Sequence, residues 1–336
     1  MINLRLFAGL DYSDAFVQIS LLDSQGNQIA NRDCANDWQA IQAFAERHGT
    51  VVQAAIESCT GAADLAEELV SKAGWSVDLA HPGYVARIKQ SPDKTDFQDA
   101  RLLADLVRVG YLPRVWMAPE NVRELRRLIR YRQDLAKQRR NLKLQIRALL
   151  RDQRCRTPTG KPWTKAWMEW LTKEAAVSEQ SRYIIDRQVI RLGQLAVEIR
   201  EVEQRLAQVT ADDVVVAQLM EQPGIGPVTA WTLRAEIGRF DRFRTGKQLA
   251  RFCGLSPRNA SSGQRQADAG LIKAANPELR ALLIEAAHRL GRLHPRWQAL
   301  KARLVQKGKP GSVIAAAIAN RWVRWLFHAM QTVVAA

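Results

Sequence analysis

The spacing of apolar residues in the first third of the chain predicts both strands and helices. Short apolar runs bounded by turn residues such as DSQG are typical of strands, and apolar residues three and four apart are typical of helices. Strands are predicted at residues 4–11, 16–22, 27–33, 51–57 and 75–80, and helices at 37–48, at 62–73 and from the N-cap candidate Thr95 onward. This order predicts an α/β domain with a mixed sheet.

The middle of the chain predicts two long helices. Residues 119–153 contain no Gly, and no Pro after Pro119, and their apolar residues recur at steps of three, four and seven. This pattern indicates a helix of roughly 35 residues with coiled-coil character. A second helix is predicted at about 176–209, so we expect an antiparallel helical hairpin or an oligomerisation arm. The arginines on the first helix form either a solvated face or a surface that follows a nucleic-acid backbone.

Three tryptophans lie at helical spacing in the connector between these helices. They are Trp163, Trp167 and Trp170. Packing in a core is the favoured role for them, and stacking on nucleic-acid bases stays open as the alternative.

The last third of the chain predicts a mostly helical domain. The segment QPGIGPVTAWTLRAEIG at 222–238 has the form of a helix-hairpin-helix, in which Gly224 and Gly226 allow close approach to a phosphate. A short helix, a polar loop and the amphipathic helix PELRALLIEAAHRLGRL follow. An apolar-rich helix near 312–334 is expected to form core or dimer contacts.

Charge divides the 336 residues into three parts. The total is +16, from 50 Lys and Arg against 34 Asp and Glu. Counted along the sequence, residues 1–115 carry −5, residues 116–210 carry +10 and residues 211–336 carry +11. We take these parts as an α/β domain, a helical arm and a helical domain with a helix-hairpin-helix. The two basic parts predict contact with a polyanion such as nucleic acid.

Composition and cysteine spacing exclude several classes of protein. The chain is 47% hydrophobic and 25% charged, which is typical of a folded protein. Its apolar runs are too short to span a bilayer, which needs roughly 20 residues, so no membrane partner is expected. Four scattered cysteines without a CxxC pair predict neither a disulfide framework nor a zinc site. No secretory leader is apparent, and we expect a cytoplasmic location.

Four acidic residues occupy positions that favour a metal site. Asp11 and Glu57 end two predicted strands, and Asp96 and Asp99 are three apart on one helix. Carboxylates crowded together repel one another, and a divalent cation relieves that repulsion. Mg²⁺ prefers such oxygen ligands, and two ions about 3.5–4 Å apart assist phosphoryl displacement. The alternative is that Asp96 caps its helix and Asp11 opens a turn.

Three strings in this segment resemble one family of enzymes. GLDYSD, AIESCTG and DKTDFQDARLLADL are similar to the RuvC-like, RNase H-fold domain of insertion-sequence-110 type transposases, which are related to the Piv DNA invertase. The DEDD acid set of that family corresponds to Asp11, Glu57, Asp96 and Asp99. In the last third, GIGPVTA, GLSPRNASSG and LRALLIEAA resemble the transposase domain of the same family.

The resemblance implies a mechanism and a set of partners. It implies a serine nucleophile that forms a phosphoserine linkage with DNA; Ser262 matches it best, and Ser261 is a close rival. Arg258 and Arg265 flank this serine and are candidates to hold phosphate. It further implies Mg²⁺ or Mn²⁺, donor and target DNA, and a structured guide (bridge) RNA encoded by the element. A homodimer or homotetramer and a nucleoid-associated location in a prokaryote are expected on the same basis.

Two other functions stay open at the sequence level. A RuvC-like junction endonuclease would cut DNA with metal-activated water and would need no serine. A non-enzymatic nucleic-acid-binding protein with a relic RNase H fold would need neither the acids nor the serine. Without the resemblance, the SSG segment is itself most simply a polar surface loop.

Overall fold

A computed structural model describes residues 4–88, 95–259 and 268–331 of the chain. The chain divides into two compact units, Met1–Pro119 and Glu120–Ala336. The finer division of the second unit into an arm at 116–210 and a domain at 211–336 stays a prediction.

A mixed sheet forms the centre of the first unit, as the sequence predicts, and it has six strands. Its strands are β1 (Arg5–Tyr12), β2 (Phe16–Leu22), β3 (Gln28–Ala35), β4 (Thr50–Glu57), β5 (Val77–Ala80) and β6 (Arg114–Val115). The spatial order is β3-β2-β1-β4-β5-β6. β1 pairs antiparallel with β2 and parallel with β4, and β4 pairs parallel with β5. The two-residue strand β6 was not predicted, because it has no alternating pattern of its own.

Helices cover both faces of this sheet. They are α1 (Trp38–Glu46), α2 (Ala62–Ser71), α3 (Pro82–Ile88) and α4 (Asp96–Arg108). Leu6, Ala8 and Leu10 of β1 pack in one apolar cluster with residues of α1 and α2. Phe7, at an alternate position on the same strand, packs in a second cluster with Leu103 of α4. The period of two along β1 thus assigns its odd-numbered side chains to the α4 face.

Thr95 caps α4, which confirms the predicted start of that helix. Its hydroxyl oxygen accepts a hydrogen bond from the backbone N–H of Gln98 at 3.3 Å. Asp96 is the first helical residue, so the alternative in which Asp96 caps the helix is wrong. Asp11 lies inside β1 and pairs with Gln18 of β2, so it does not open a turn either.

The second unit is mostly helical in the residues described. Its helices are α5 (Glu120–Asp152), α6 (Lys165–Lys173), α7 (Glu179–Val209), α8 (Val214–Met220), α9 (Pro227–Ile237), α10 (Gly246–Phe252), α11 (Pro277–Leu293), α12 (Pro295–Gln306) and α13 (Gly311–Ala329). A short antiparallel ribbon is formed by β7 (Pro257–Asn259) and β8 (Asp268–Leu271).

The two long helices α5 and α7 pack as an antiparallel pair. Arg132 donates to Glu203 at 2.7 Å, and Gln188 donates to Gln145 at 3.1 Å. Because the partner number on α7 falls as the number on α5 rises, the helices run in opposite directions. This confirms the expected helical hairpin.

The connector tryptophans pack at the closed end of this hairpin. Trp167 is buried in a cluster with Ile146 and Leu150 of α5 and Ile185 of α7, and Trp163 and Trp170 pack against the same cluster. The ring centroids of Trp163 and Trp167 lie 4.5 Å apart, and those of Trp167 and Trp170 lie 5.7 Å apart. The favoured core role for these residues is confirmed.

The last helix contributes to the main core of the second unit. Trp322, Val323 and Leu326 of α13 are fully buried in one cluster with residues of α9, α10 and α11. Of the two roles left open by its sequence, core packing is therefore present. The opposite face of α13 is exposed and carries charge.

Asp213 links the helices α8 and α9, of which only α9 lies in the segment 222–238 that predicts a helix-hairpin-helix. One carboxylate oxygen accepts from the backbone N–H groups of Val215 and Val216 at 3.0 and 3.1 Å and so caps α8. The other oxygen accepts from Nε of Arg234 on α9 at 2.7 Å, and both side chains are more than four-fifths buried. One residue thus performs two stabilising tasks.

Replacing Asp213 should separate these two tasks. Asp213→Ala removes the cap and leaves Arg234 without its charge partner, so we expect a loss of about 2–4 kcal/mol in the free energy of unfolding. Asp213→Asn keeps a capping oxygen and should lose about half as much. Urea denaturation measures both values. Glu285→Gln, which removes only the exposed pair with Arg289, should change stability by less than about 0.5 kcal/mol. Equal stability of all three variants would contradict the assignment.

Candidate active site and nucleic-acid contacts

Asp11 and Glu57 lie at the carboxyl ends of two adjacent parallel strands. The paired residues of β1 and β4 end with Leu10 opposite Ile56, and Asp11 and Glu57 are the next residue on each strand. Both are half-buried. The parallel pairing therefore brings the first two predicted acids together at one edge of the sheet.

Both acids lie on the sheet face that α4 covers. Asp11 shares the side of β1 that Phe7 and Gly9 occupy, since residues two apart on a strand point the same way. Glu57 shares the side of β4 with Ala55, which packs in the α4 cluster. A Cβ added at Gly9 would lie 2.0 Å from the carbonyl oxygen of Ala100 and 2.3 Å from the nitrogen of Ala104. The backbone of α4 thus rests directly on β1.

The direction of α4 places its acidic first turn toward Asp11. At the C-terminal end of α4, Arg108 donates to the carbonyl oxygen of Ser24 in the β2–β3 turn at 3.4 Å. That turn lies near the start of β1, because Leu22 pairs with Phe7. α4 therefore runs opposite to β1, and its first turn lies toward the end of β1. Asp99 in that turn is buried and Asp96 is exposed.

The donor set suits a cation that keeps part of its water. Within residues 4–88, 95–259 and 268–331, no three His, Cys, Asp or Glu side chains are close enough together to hold a metal ion. Mg²⁺ is commonly bound through one or two carboxylates plus waters and substrate phosphates. The adjacent pair Asp11 and Glu57 meets that smaller requirement. The four acids thus share a face and an end of the sheet without forming a closed cage.

The acids at this edge of the sheet affect the pKa of a nearby thiol. Burial raises the pKa of the Cys59 thiol, and the charges of Glu57, Asp11 and Asp14 raise it further. A neighbouring charge acts on a pKa only over a short distance. Asp14 and Cys59 follow the ends of β1 and β4 by two residues each, so they lie at the same edge, and a cation there would meet a locally negative surface.

Several other acids of the first unit have structural tasks. Asp37 caps α1, Asp23 closes the β2–β3 turn, Asp78 pairs with Arg114 at 3.2 Å, and Asp105 pairs with Arg108 at 2.6 Å. These contacts account for acids that lie outside the four predicted positions. The acidic charge of this unit is thus divided between structural contacts and the edge near Asp11.

The predicted serine lies outside the described residues, and so do its rival Ser261 and the flanking Arg265. Arg258 is described; it lies in β7 and is exposed. The ribbon formed by β7 and β8 brackets the segment that contains Ser262.

The two hairpin glycines have different roles. Gly224 has φ +84°, and a Cβ there would lie 2.7 Å from Cδ2 of Leu290, so both its backbone and its packing require glycine. Gly226 is the N-cap residue of α9 with φ −102°, and a Cβ there would meet open space. Packing thus explains the first glycine, and the predicted phosphate contact stays a prediction for both.

Sequence reasoning missed three residues at or near the acidic edge, the edge of the sheet where Asp11 and Glu57 lie. Gly9 was treated only as part of a strand, although its missing side chain is what lets α4 approach. Asp14 and Cys59 were not singled out. The signal for Gly9 was available, since a glycine in the middle of an apolar strand often marks a close backbone approach.

Two family models match this chain in the segments just described. A transposase model of the DEDD, IS110 type matches residues 8–153, and the model of the transposase IS116/IS110/IS902 family matches residues 216–302. The chain belongs to this family of insertion-sequence transposases. Its resemblance to the insertion-sequence-110 type is thus confirmed, and the family implies an enzyme that processes DNA.

Curated relatives align with nearly the whole transposase chain. A probable family 20 transposase of Pseudomonas aeruginosa is 26% identical over 325 residues, which cover 95% of each chain. The transposase for insertion sequence element IS1328 of Yersinia enterocolitica is 28% identical, covering 83% of this chain and 84% of its own. The transposase for IS1111A of Coxiella burnetii is 26% identical, covering 94% and 88%.

Among the residues that the structure describes, no helix is both long and apolar enough to cross a bilayer.

The contact between Gly9 and α4 yields a test of how the acidic edge is held. Gly9→Ala should force α4 away from β1 and lower the free energy of unfolding by about 3 kcal/mol, because the clash is with backbone. Gly83→Ala is a matched control in the same unit, since its new Cβ would meet only the exposed His81 ring at 3.3 Å. Hydrogen exchange of peptides from β1 and α4 would measure the effect. Unchanged protection in Gly9→Ala would contradict the close packing.

Proposed function

We propose that this transposase cuts and rejoins DNA by phosphoryl transfer, with a divalent cation on its acidic edge and a serine as nucleophile. The observation that carries the proposal is the position of Asp11 and Glu57 at adjacent strand ends, on the face covered by the helix that bears Asp96 and Asp99. Matches to family models in both halves of the chain support it.

The four acids are the residues we assign to the cation, as Mg²⁺ or Mn²⁺. Asp11 and Glu57 hold it most directly, because they are neighbours on the sheet. Asp99 and Asp96 add negative charge from the first turn of α4. The cation, when bound, polarises a scissile phosphate and stabilises the charge that develops on it. The acids orient that phosphate at the end of the sheet.

Ser262 is the residue we assign as nucleophile. Its Oγ forms a bond to a backbone phosphorus of DNA as one P–O bond of the strand breaks. The serine hydroxyl loses its proton and the leaving DNA oxygen gains one, so a phosphoserine and a free DNA hydroxyl result. Attack by a hydroxyl on the phosphoserine reverses the step and rejoins the strand. Arg258 and Arg265 hold the phosphate but cannot act as bases, since arginine stays protonated.

A structured guide RNA is the partner we assign to the basic part of the chain. Residues 116–336 carry 40 Lys and Arg against 19 Asp and Glu, a net charge of +21. Such a surface binds phosphate backbones with little regard to sequence. Base pairing between the RNA and both donor and target DNA then supplies the sequence choice, as in other RNA-guided enzymes. We further propose that the active form is a homodimer or homotetramer.

Metal binding tests the acidic edge without any need for activity. Asp11→Asn and Glu57→Gln should each weaken Mn²⁺ binding at least about tenfold, the loss that even outer-sphere changes cause. Isothermal titration calorimetry or the electron paramagnetic resonance signal of free Mn²⁺ measures this. Asp14→Asn is the matched control, because this exposed acid lies at the same edge but outside the assigned set. Equal weakening of Mn²⁺ binding in all three variants would mean that the ion binds to diffuse negative charge and not to a defined site.

A covalent adduct tests the serine. The purified protein is incubated with donor and target DNA, Mg²⁺ and RNA transcribed from the flanking DNA of its own element. The wild-type chain and Ser261→Ala should form a protein–DNA adduct that survives denaturing electrophoresis, and Ser262→Ala should form none. The adduct should also require the RNA.

The outcomes of that experiment separate the competing functions. Strand cutting by Ser262→Ala without an adduct would favour a metal-dependent junction nuclease. If Ser261→Ala abolishes the adduct and Ser262→Ala does not, the nucleophile is Ser261. Neither cutting nor an adduct in the wild-type chain with any flanking RNA would overturn the proposal.

A further inference from the structure

The C-terminal part of the chain carries one sign of charge only. From residue 286 to residue 336 there are nine Lys and Arg and no Asp or Glu. This stretch supplies +9 of the total formal charge of +16. Charges of one sign repel one another and are normally interspersed with the opposite sign, so a long acid-free stretch favours a polyanionic partner.

Helical spacing gathers much of this charge on two facing surfaces. On α12, Arg296 and Arg303 are seven residues apart and lie on one face. On α13, Arg321 and Arg324 are three apart and also share a face. All four side chains are exposed. The opposite face of α13 packs in the core of the second unit, so these arginines are held on a fixed support.

The two faces line one concave pocket between α12 and α13. Its volume is about 480 Å³, within the range that holds small-molecule-sized groups. The four arginines line it together with Trp297, Leu300, Trp325 and His328. None of these lining residues is acidic, and none of the four arginines forms an ion pair with any part of the chain that the structure describes. A polyanion could therefore approach these arginines without displacing an internal acidic partner.

Aromatic residues add a second kind of contact to this pocket. Trp297 is buried at its base, with the guanidinium carbon of Arg296 5.1 Å from the ring centroid. Trp325 is only partly buried, and it lies four residues from Arg321 on the same helix. A base can stack on such a ring while its phosphates meet neighbouring arginines, and this pairing of aromatic and cationic groups is typical of single-strand binding.

We infer that the pocket between α12 and α13 binds an unpaired nucleotide segment, with phosphates on Arg321, Arg324, Arg296 and Arg303 and a base on Trp325. Single-stranded RNA and single-stranded DNA present the same chemistry to this pocket. The inference rests on the proposed function only in taking nucleic acid as the partner, since it requires neither Ser262 nor a metal ion. Half of the pocket comes from α13, which lies beyond residue 302, where the family-model match ends.

Binding measured in EDTA tests the inference apart from catalysis. The probes are fluorescein-labelled single strands of about 20 nucleotides, longer than the roughly 4–16 that a single-strand site covers, as RNA and as DNA, and the matching DNA duplex. Arg321→Gln with Arg324→Gln should weaken single-strand binding by about tenfold or more at moderate salt. The slope of log K against log salt should fall by about 1.4, since each lost phosphate contact removes about 0.7.

A matched charge control decides whether the pocket itself is responsible. Arg5→Gln with Arg87→Gln removes the same charge from two exposed arginines of the first unit, outside the basic part assigned to RNA, and should leave single-strand affinity within about twofold. Equal weakening by both double variants would attribute binding to net charge and would overturn the inference. No weakening by the α13 variant, or weakening confined to duplex DNA, would overturn it as well.

Substitution of the tryptophan tests the stacking contact. Trp325→Leu should weaken single-strand binding further, and Trp325→Phe, which keeps an aromatic face, should restore most of it. Equal melting temperatures of the two variants establish that both are folded. Affinity that is the same for leucine and phenylalanine would contradict stacking. A larger loss with the RNA probe would identify guide RNA as the source of the segment, and a larger loss with the DNA probe would identify a DNA strand.

Discussion

The contact of α4 with β1 at Gly9 is the packing constraint on which the acidic edge depends. Because glycine has no side chain, the helix backbone lies directly on the strand, with Ala100 and Ala104 against it. That close approach fixes the distance between α4 and the sheet and the direction in which α4 crosses it. It thereby positions the buried Asp99 toward the end of the strand that carries Asp11. A larger residue at Gly9 would change the geometry of every acid on this face.

Carboxylates near one another are unfavourable for the folded protein unless something offsets their charge. The chain offsets some of its acids locally, by capping α1 through Asp37 and by pairing Asp78 with Arg114. Burial raises the pKa of the Cys59 thiol, and Glu57, Asp11 and Asp14 raise it further, so these three acids place negative charge around that thiol. A bound cation would offset that charge.

Local patterns allowed much of the fold and some of the site to be predicted. Alternation and helical spacing identified β1, β4, α4, α5 and α7, and the hydroxyl of Thr95 identified the start of α4. Glu57 and Asp11 could be assigned to strand ends, but their adjacency depends on the parallel register of β1 and β4, which no local pattern contains. The short strand β6 and the short helix α3 were not predicted, because such short segments contain too few residues to show a hydrophobic period.

The helix α13 illustrates why a surface is harder to predict than a core. Its apolar residues predicted a buried helix, and Trp322 and Leu326 are buried. The same helix presents Arg321 and Arg324 on its other face, and their meaning depends on the arginines of α12 across the pocket. The sequence of each helix, taken alone, is typical of an ordinary amphipathic helix with a solvated basic face. Only their packing against each other concentrates positive charge around partly buried tryptophan, and concentration in a concave site is what converts solvated charge into a binding surface.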